Sequence, residues 1–231
     1  MRFHRSIPLV AAAVLVPLLA EAHVSIKSRP STALATDVVV FGVGHGCEDG
    51  ETKLDTTSVT IEIPEGVTSV RPELSGFDTV GLETNSAGAV VAVTWSKETA
   101  LPDDIAYYEL RLRMKAPDAP FTRLKFPTYQ QCSSPDGSVG VTTEWVGDEG
   151  DTDVEPAPML TILPAHLPGW NKYTVEEKID ELDLFFGNAQ IVWQGESAYS
   201  SNPTTTELIA GTDGASTLER IKADQVFWVK F

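Results

Sequence analysis

Over most of the first 165 residues, apolar positions either alternate with polar ones or gather in short β-branched and aromatic runs. Tyr107–Met114 is the clearest case. Tyr108, Leu110, Leu112 and Met114 fall on one side, and Glu109, Arg111 and Arg113 on the other. Successive side chains of a strand point to opposite faces, so this spacing predicts a strand with one buried side. Comparable runs occupy Asp37–Val43, Ser58–Ile63, Thr68–Leu74, Ala89–Trp95, Arg123–Tyr129, Val141–Trp145 and Met159–Leu163. Turn-forming clusters separate them, including Pro64-Glu65-Gly66, Leu101-Pro102-Asp103-Asp104 and Pro135-Asp136-Gly137. Asp103 and Asp104 follow Leu-Pro and are read as turn residues rather than as a catalytic carboxylate pair. Many short strands at near-regular spacing, with no helical period among them, predict an antiparallel β-sandwich.

The texture changes near residue 165. Pro164-Ala165-His166-Leu167-Pro168 reads as a short stiff connector. Beyond it, Val175–Phe186 has apolar residues at 175, 179, 182, 185 and 186, which predicts an amphipathic helix. Gln190–Gln194 and Gln225–Phe231 read as strands, and Thr206–Ala210 and Ser216–Ile221 as short helices. This tail is a small α+β unit. The chain thus divides into residues 1–22, a sandwich over 23–165 and a small accessory domain over 166–231.

The N-terminus sets the expected compartment. Arg2 and Arg5 precede the apolar run Ile7–Ala20, and Ala20-Glu21-Ala22 has the small-x-small form of a cleavage site. That order is the signature of a secretory signal peptide, and the run is too short to span a bilayer. The expectation is a periplasmic or secreted protein, cleaved between Ala22 and His23, with no membrane span in the mature chain. Cleavage makes His23 the first residue. Its α-amine has a pKa of roughly 7.7–8.0 and yields its proton to a metal near neutral pH. Amine and imidazole Nδ1 can close a chelate ring on one ion, and nitrogen donors of this kind favour copper(II).

The full chain has 231 residues, with 17 Lys+Arg against 33 Asp+Glu and a formal net charge of −16. This acidity argues against a nucleic-acid partner or an anionic membrane surface, which need clustered cations. It suits a cationic ligand, or simply solubility. No HExxH, GxSxG or phosphate-cradling glycine loop occurs. The run Asp148, Glu149, Asp151, Asp153 and Glu155 lacks calcium-loop spacing and reads as a solvated loop, and His166 reads as a solvated connector residue. Cys47 and Cys132 are the only cysteines. In an oxidising compartment they read as one disulfide, and thiolate ligation is the rival without CxxC support. The bridge would close a loop of about 85 residues, worth roughly 4 kcal/mol on the chain-entropy model.

Several segments, in order, resemble the YcnI-like copper-binding domains of exported bacterial proteins. His23-Val24-Ser25-Ile26 is similar to their HVTV/HVTL start, and His45-Gly46-Cys47 to the HGC after the first strand. Thr56-Thr57-Ser58-Val59 through Ile63-Pro64-Glu65-Gly66-Val67 resembles TTxVxVxIPEGV. Trp95 with Leu101-Pro102-Asp103-Asp104 matches ITW…LPDD, and Phe126–Cys132 matches FPVxQxC. Trp145 stands at the tryptophan downstream of that cysteine, and Glu155–Leu160 matches the xPAPxL close. The match runs from His23 to Pro164, about 140 residues.

The resemblance implies an immunoglobulin-like sandwich that binds copper through the amine and imidazole of His23, with Trp145 covering the ion and a carboxylate nearby. Without the resemblance, Trp145 reads as core. The indole is a poor σ-donor, but its face stabilises a cation. The family often has Glu seven residues after the histidine, where this chain has Pro30. That leaves the carboxylate to Glu48 or Glu144, or absent. The chain also carries an insertion, Glu48–Asp55. His45 is either a second ligand or a hydrogen-bonding strand-end residue. Gly169-Trp170-Asn171, Val192-Trp193 and Trp228-Val229 resemble a small accessory domain of exported bacterial proteins, which implies a structural or partner-binding module. Copper storage, delivery or homeostasis is the expected function, with a periplasmic copper chaperone or transporter as exchange partner. A non-catalytic envelope adhesion or interaction module is the alternative. An oxidative copper enzyme would need a second histidine, and only His45 could supply it.

Overall fold

The structure is a computed structural model and describes residues 24–50, 52–101 and 107–231. The signal-peptide reading, His23 and the turn at Pro102-Asp103-Asp104 lie outside the described residues. The chain begins with short strands β1 (Ser25–Ile26) and β2 (Ser31–Thr32), then β3 (Thr36–Val43), β4 (Cys47–Asp49) and the long β5 (Thr52–Glu62). Next come β6 (Thr68–Pro72), the hairpin β7 (Thr79–Thr84) and β8 (Val90–Leu101), and β9 (Tyr108–Lys115). β10 (Thr122–Lys125), β11 (Thr128–Ser133), β12 (Gly140–Gly147), β13 (Glu155–Pro156) and β14 (Met159–Leu163) complete the sandwich.

One sheet has the order β1-β3-β9-β6. The other layer runs β2-β14-β10 and, across the break at Phe126-Pro127, β11-β5-β8-β7, with β12, β13 and β4 attached. Taking β1, β3, β5, β6, β9, β10/β11 and β14 as strands A to G, the first sheet is A-B-E-D and the second carries G-F-C. This is the immunoglobulin-like order, with the β7–β8 hairpin inserted between D and E. Strand F was expected as one run over Arg123–Tyr129. It is broken because Pro127 has no N–H to give to a ladder. Its carbonyl accepts from Glu62 N at 2.8 Å, while Phe126 N donates to Pro158 O at 2.9 Å.

The core lies between the layers. On β9, Tyr108, Leu110, Leu112 and Met114 are buried as their spacing predicts. Trp95 is fully buried, and its Nε1 donates to Glu73 O at 2.7 Å, so its one polar atom is satisfied. Phe41 and Phe126 meet edge to face across the layers at 5.3 Å. Cys47 and Cys132 form the disulfide expected from the cysteine count, with Cα atoms 5.8 Å apart. The insertion after Cys47 lies in the β4–β5 hairpin, with Cys47 opposite Leu54 and Asp49 opposite Thr52.

The tail forms a five-stranded sheet. In chain order its elements are β15 (Trp170–Tyr173), α1 (Leu182–Phe186), β16 (Ile191–Gln194), β17 (Ser197–Tyr199), α2 (Pro203–Ala210), β18 (Ser216–Thr217) and β19 (Phe227–Lys230). The strand order is β15-β19-β16-β17-β18. Two sequence expectations fail here. The helix over Val175–Phe186 is confined to Leu182–Phe186, because Ile179 instead exchanges both backbone hydrogen bonds with Ile221. The short helix over Ser216–Ile221 is absent for the same reason and because Ser216–Thr217 pairs in parallel with β17. The apolar positions stay buried in either conformation, so pattern alone did not distinguish them. α2 forms where a helix is expected over Thr206–Ala210 but starts three residues earlier: the Asn202 side chain caps the N–H groups of Thr204 and Thr205, and Pro203 sits where no N–H is needed.

The two units share aromatic packing. Phe121 leaves the sandwich with φ +64° and lies among Tyr173, Phe185, Phe186 and Phe227 at centroid distances of 5.4 to 6.1 Å. The connector is tied down as well. Asn171 accepts from Leu167 N and donates to Leu167 O and Gly169 O, and Tyr173 OH donates to Ala165 O at 2.9 Å. His166 is exposed, and its ring stacks on Phe231 at 3.8 Å.

Candidate metal centre

The described sandwich starts at a held position. Val24 is 2% exposed and belongs to the main core. Ser25 and Ile26 then pair with Gly42 and Phe41, and Lys27 N donates to Val40 O at 2.8 Å. Val24 lines an open cleft of about 310 Å³ whose other walls are Arg123 and Glu149 and the segment Pro156-Ala157-Pro158.

Each wall has a local cause. Arg123 comes from β10, which pairs with β14 in the register Arg123 opposite Thr161. Glu149 comes from the acidic loop after β12. That loop turns back at Gly147, where a Cβ would lie 2.7 Å from Val154 O, so only glycine fits without a shift. Asp148 N donates to Asp151 Oδ2 at 2.7 Å, and Lys125 pairs with Asp148 at 2.7 Å. Arg123 forms an ion pair with Glu149, and Glu181 of the tail stands 3.9 Å from the same guanidinium. Arg123 Nε is buried with no hydrogen-bond partner among the described residues. The acidic run, expected as a plain solvated loop, is exposed but pinned by Arg123 and Lys125.

The predicted site residues separate into three places. Trp145 is 4% exposed, lies in the core that also holds Val24, and pairs with Glu155 just before the cleft wall at Pro156. Glu144, its neighbour on β12, is on the opposite, outward face, as strand alternation requires. There it sits across from Tyr129, whose OH donates to Glu62 at 3.1 Å. Burial, that hydrogen bond and the charges of Glu62 and Glu144 raise the Tyr129 phenol above its ordinary pKa. His45 and Glu48 lie with the disulfide. His45 is half-buried, its Nδ1 is 2.5 Å from Gly46 O, and its carbonyl accepts from Gln130 Nε2 at 2.8 Å. Glu48 is exposed on β4 opposite Lys53.

Among the described residues, no group of three or more His, Cys, Asp or Glu side chains stands together as a metal site. At the cleft the described residues offer an ion one carboxylate, already paired with Arg123, and any nitrogen donor there would have to come from His23. The carboxylate at the cleft is Glu149, which sequence reasoning passed over. Its position depends on how β12 turns back toward β10, and nothing in the local pattern records that.

Facing antiparallel sheets with an A-B-E-D and G-F-C order define an immunoglobulin-like β-sandwich module. The chain belongs to the family described as a domain of unknown function (DUF1775), whose pattern matches residues 23–162. No curated protein sequence matches the chain. Among solved structures it is similar to an uncharacterized protein from Nocardia farcinica with an immunoglobulin-like fold, at 24% identity and a TM-score of 0.49, covering 61% of this chain and 98% of that one. It is also similar to a C-terminal fragment of the major pilin GBS80 of Streptococcus agalactiae, at 11% identity and a TM-score of 0.36, covering 89% and 77%. Domains D2 and D3 of the major pilin SpaD of Corynebacterium diphtheriae match at 13% identity and a TM-score of 0.34, covering 89% and 72%. Among the described residues, no helix is long and apolar enough to cross a membrane.

Proposed function

We propose that this is an exported copper-binding protein that holds copper(II) through the amine and imidazole of His23 after cleavage following Ala22. The carrying observation is the placement of Val24: buried, strand-paired through the next two residues, and on the wall of a cleft that contains a carboxylate. On this reading His23, the chain neighbour of Val24, brings its amine and imidazole to that cleft. Glu149 supplies the carboxylate in place of Glu48 or Glu144. Trp145 is the aromatic this reading places behind the ion; it is 4% exposed, lies in the core with Val24 and does not itself line the cleft. Bound there, copper would be stored or handed on, and a periplasmic copper chaperone or transporter is the fitting exchange partner. The role is non-catalytic.

Copper must compete with Arg123 for Glu149, which gives the site a specific signature. In titrations of the mature protein with copper(II), His23→Ala, or one extra residue ahead of His23, lowers affinity more than tenfold, above about 1.4 kcal/mol. Glu149→Gln lowers it less, and Arg123→Met raises it. Binding weakens below about pH 6, where amine and imidazole hold protons. Equal affinity of His23→Ala and the unaltered protein rejects the site, and the His45–Glu48 hairpin becomes the next position to test.

A further inference from the structure

Over β15, β19 and β16 the tail sheet has one covered face and one open face; beyond Trp193 the next position on the outer side, Ala198 of β17, is fully buried. Tyr173, Val192, Phe227 and Val229 point inward, under α1 and the Phe121 ring. The outward positions form two cross-strand rows. In one, Trp170 faces Lys230, which faces Ile191; in the other, Lys172 faces Trp228, which faces Trp193. The solvated face of an antiparallel sheet is ordinarily polar, so three indoles there are the anomaly. Trp170 is 51% exposed and Trp228 44%. Lys172 Nζ lies over the Trp228 ring, 6.0 Å from its centroid, so cation and indole share one surface.

The charge on this patch is also inverted. Its six outward positions hold two lysines and no carboxylate, in a chain of net charge −16. Half-exposed indoles on the sheet face offer stacking surfaces, and the interleaved ammonium groups offer anion contacts. A ligand that matches both has flat apolar ring faces and regularly spaced negative groups. Sugar rings carrying carboxylates have this form. Anionic bilayers also attract Trp and Lys. An extended charged surface, however, would meet the field of the whole acidic protein, whereas a single saccharide strand covers only the patch.

We propose that the outer face of the tail sheet binds an acidic glycan strand, with sugar rings stacked on Trp170 and Trp228 and carboxylates paired with Lys172 and Lys230. The test is calorimetric and fluorescence titration of the full mature chain with a hexameric oligouronate, neutral cellohexaose and phosphatidylglycerol vesicles. The oligouronate binds, shifts tryptophan emission and is released by salt. Trp170→Thr and Trp228→Thr each weaken it at least about fivefold. The double change Lys172→Gln with Lys230→Gln removes the preference for uronate over cellohexaose and leaves stacking affinity. Circular dichroism of each variant matches the parent, since all four side chains are on the surface. Vesicle binding without oligouronate binding, equal affinity for both hexasaccharides, or indifference to the tryptophan changes overturns the proposal.

Discussion

Two solvent-facing sheet surfaces in this molecule are built on opposite rules. On the β11–β5–β8 face of the sandwich, outward residues satisfy one another across strands. Ser58 Oγ donates to Gln131 Oε1 at 2.9 Å, the Thr60 and Thr94 hydroxyls are 2.8 Å apart, and Tyr129 reaches Glu62. On the tail sheet the corresponding positions carry Trp170, Lys172, Trp193, Trp228 and Lys230. A face of short hydroxyl and amide side chains gains cross-strand hydrogen bonds and presents little to a partner. A face of indoles and ammonium groups presents the surface that recognition uses. The first face finishes a fold, and the second is available to a ligand.

The units differ in reinforcement too, and the largest test exploits that. The sandwich has the Cys47–Cys132 bridge across 85 residues, and the tail has no cysteine. Cys47→Ser should cost the sandwich about 4 kcal/mol. A melting curve by calorimetry reads this as a large fall in the sandwich transition, and an unchanged curve contradicts it. Next in size is Phe121→Ala. Its half-buried ring packs among tail aromatics, so about 2–3 kcal/mol should be lost. Amide exchange should show the loss chiefly in β15 and β19 rather than in β3 and β9.

Smaller effects compare the two open faces directly. Thr60→Val leaves the Thr94 hydroxyl without its partner and should cost about 1 kcal/mol in denaturant unfolding. Trp228→Thr should change stability by no more than about 0.5 kcal/mol, because the indole is 44% exposed and threonine keeps a β-branched side chain in the strand. If Trp228→Thr proves the costlier, the indole is structural and the contrast between the faces fails. The smallest effect is local. Hydrogen bonds from the Ser134 and Ser138 hydroxyls, and then from the Ser138 amide, hold the Asp136 carboxyl down to about 2. A folded-state value below the unfolded one stabilises above the unfolded pKa, near 4, and the contribution disappears as pH falls toward 2. Faster exchange at Ser138 and Val139 over that interval, absent in Asp136→Asn, is the expected readout.

Much of the sandwich was legible along the chain because its strands have one wet face and one dry face. The alternation in Tyr107–Met114 predicted β9 and its buried side, and two cysteines with an expected export signal predicted the bridge. The tail was less legible. Ile179, Leu182, Phe185 and Phe186 have helical spacing and are buried, yet only the last five residues of that segment, Leu182–Phe186, form the helix. A backbone exchange with Ile221, 42 positions away in the chain, claimed the rest of the segment, and no local pattern encodes a distant partner. The same limit explains the site. Glu144 and Trp145 are adjacent in sequence and face opposite ways, while Glu149 reaches the cleft through a turn that only the packing of Gly147 against Val154 defines.

The sequence by itself determined the β character of the molecule and the cysteine pair. Each of these depends on local periodicity, composition or chemistry carried by a few neighbouring residues. Tertiary structure alone decided which carboxylate meets the start of the domain, how Phe121 joins the two cores, and that three tryptophans share one open face. Those facts depend on register between strands far apart in the chain, and register is set by the sum of long-range packing rather than by any single segment.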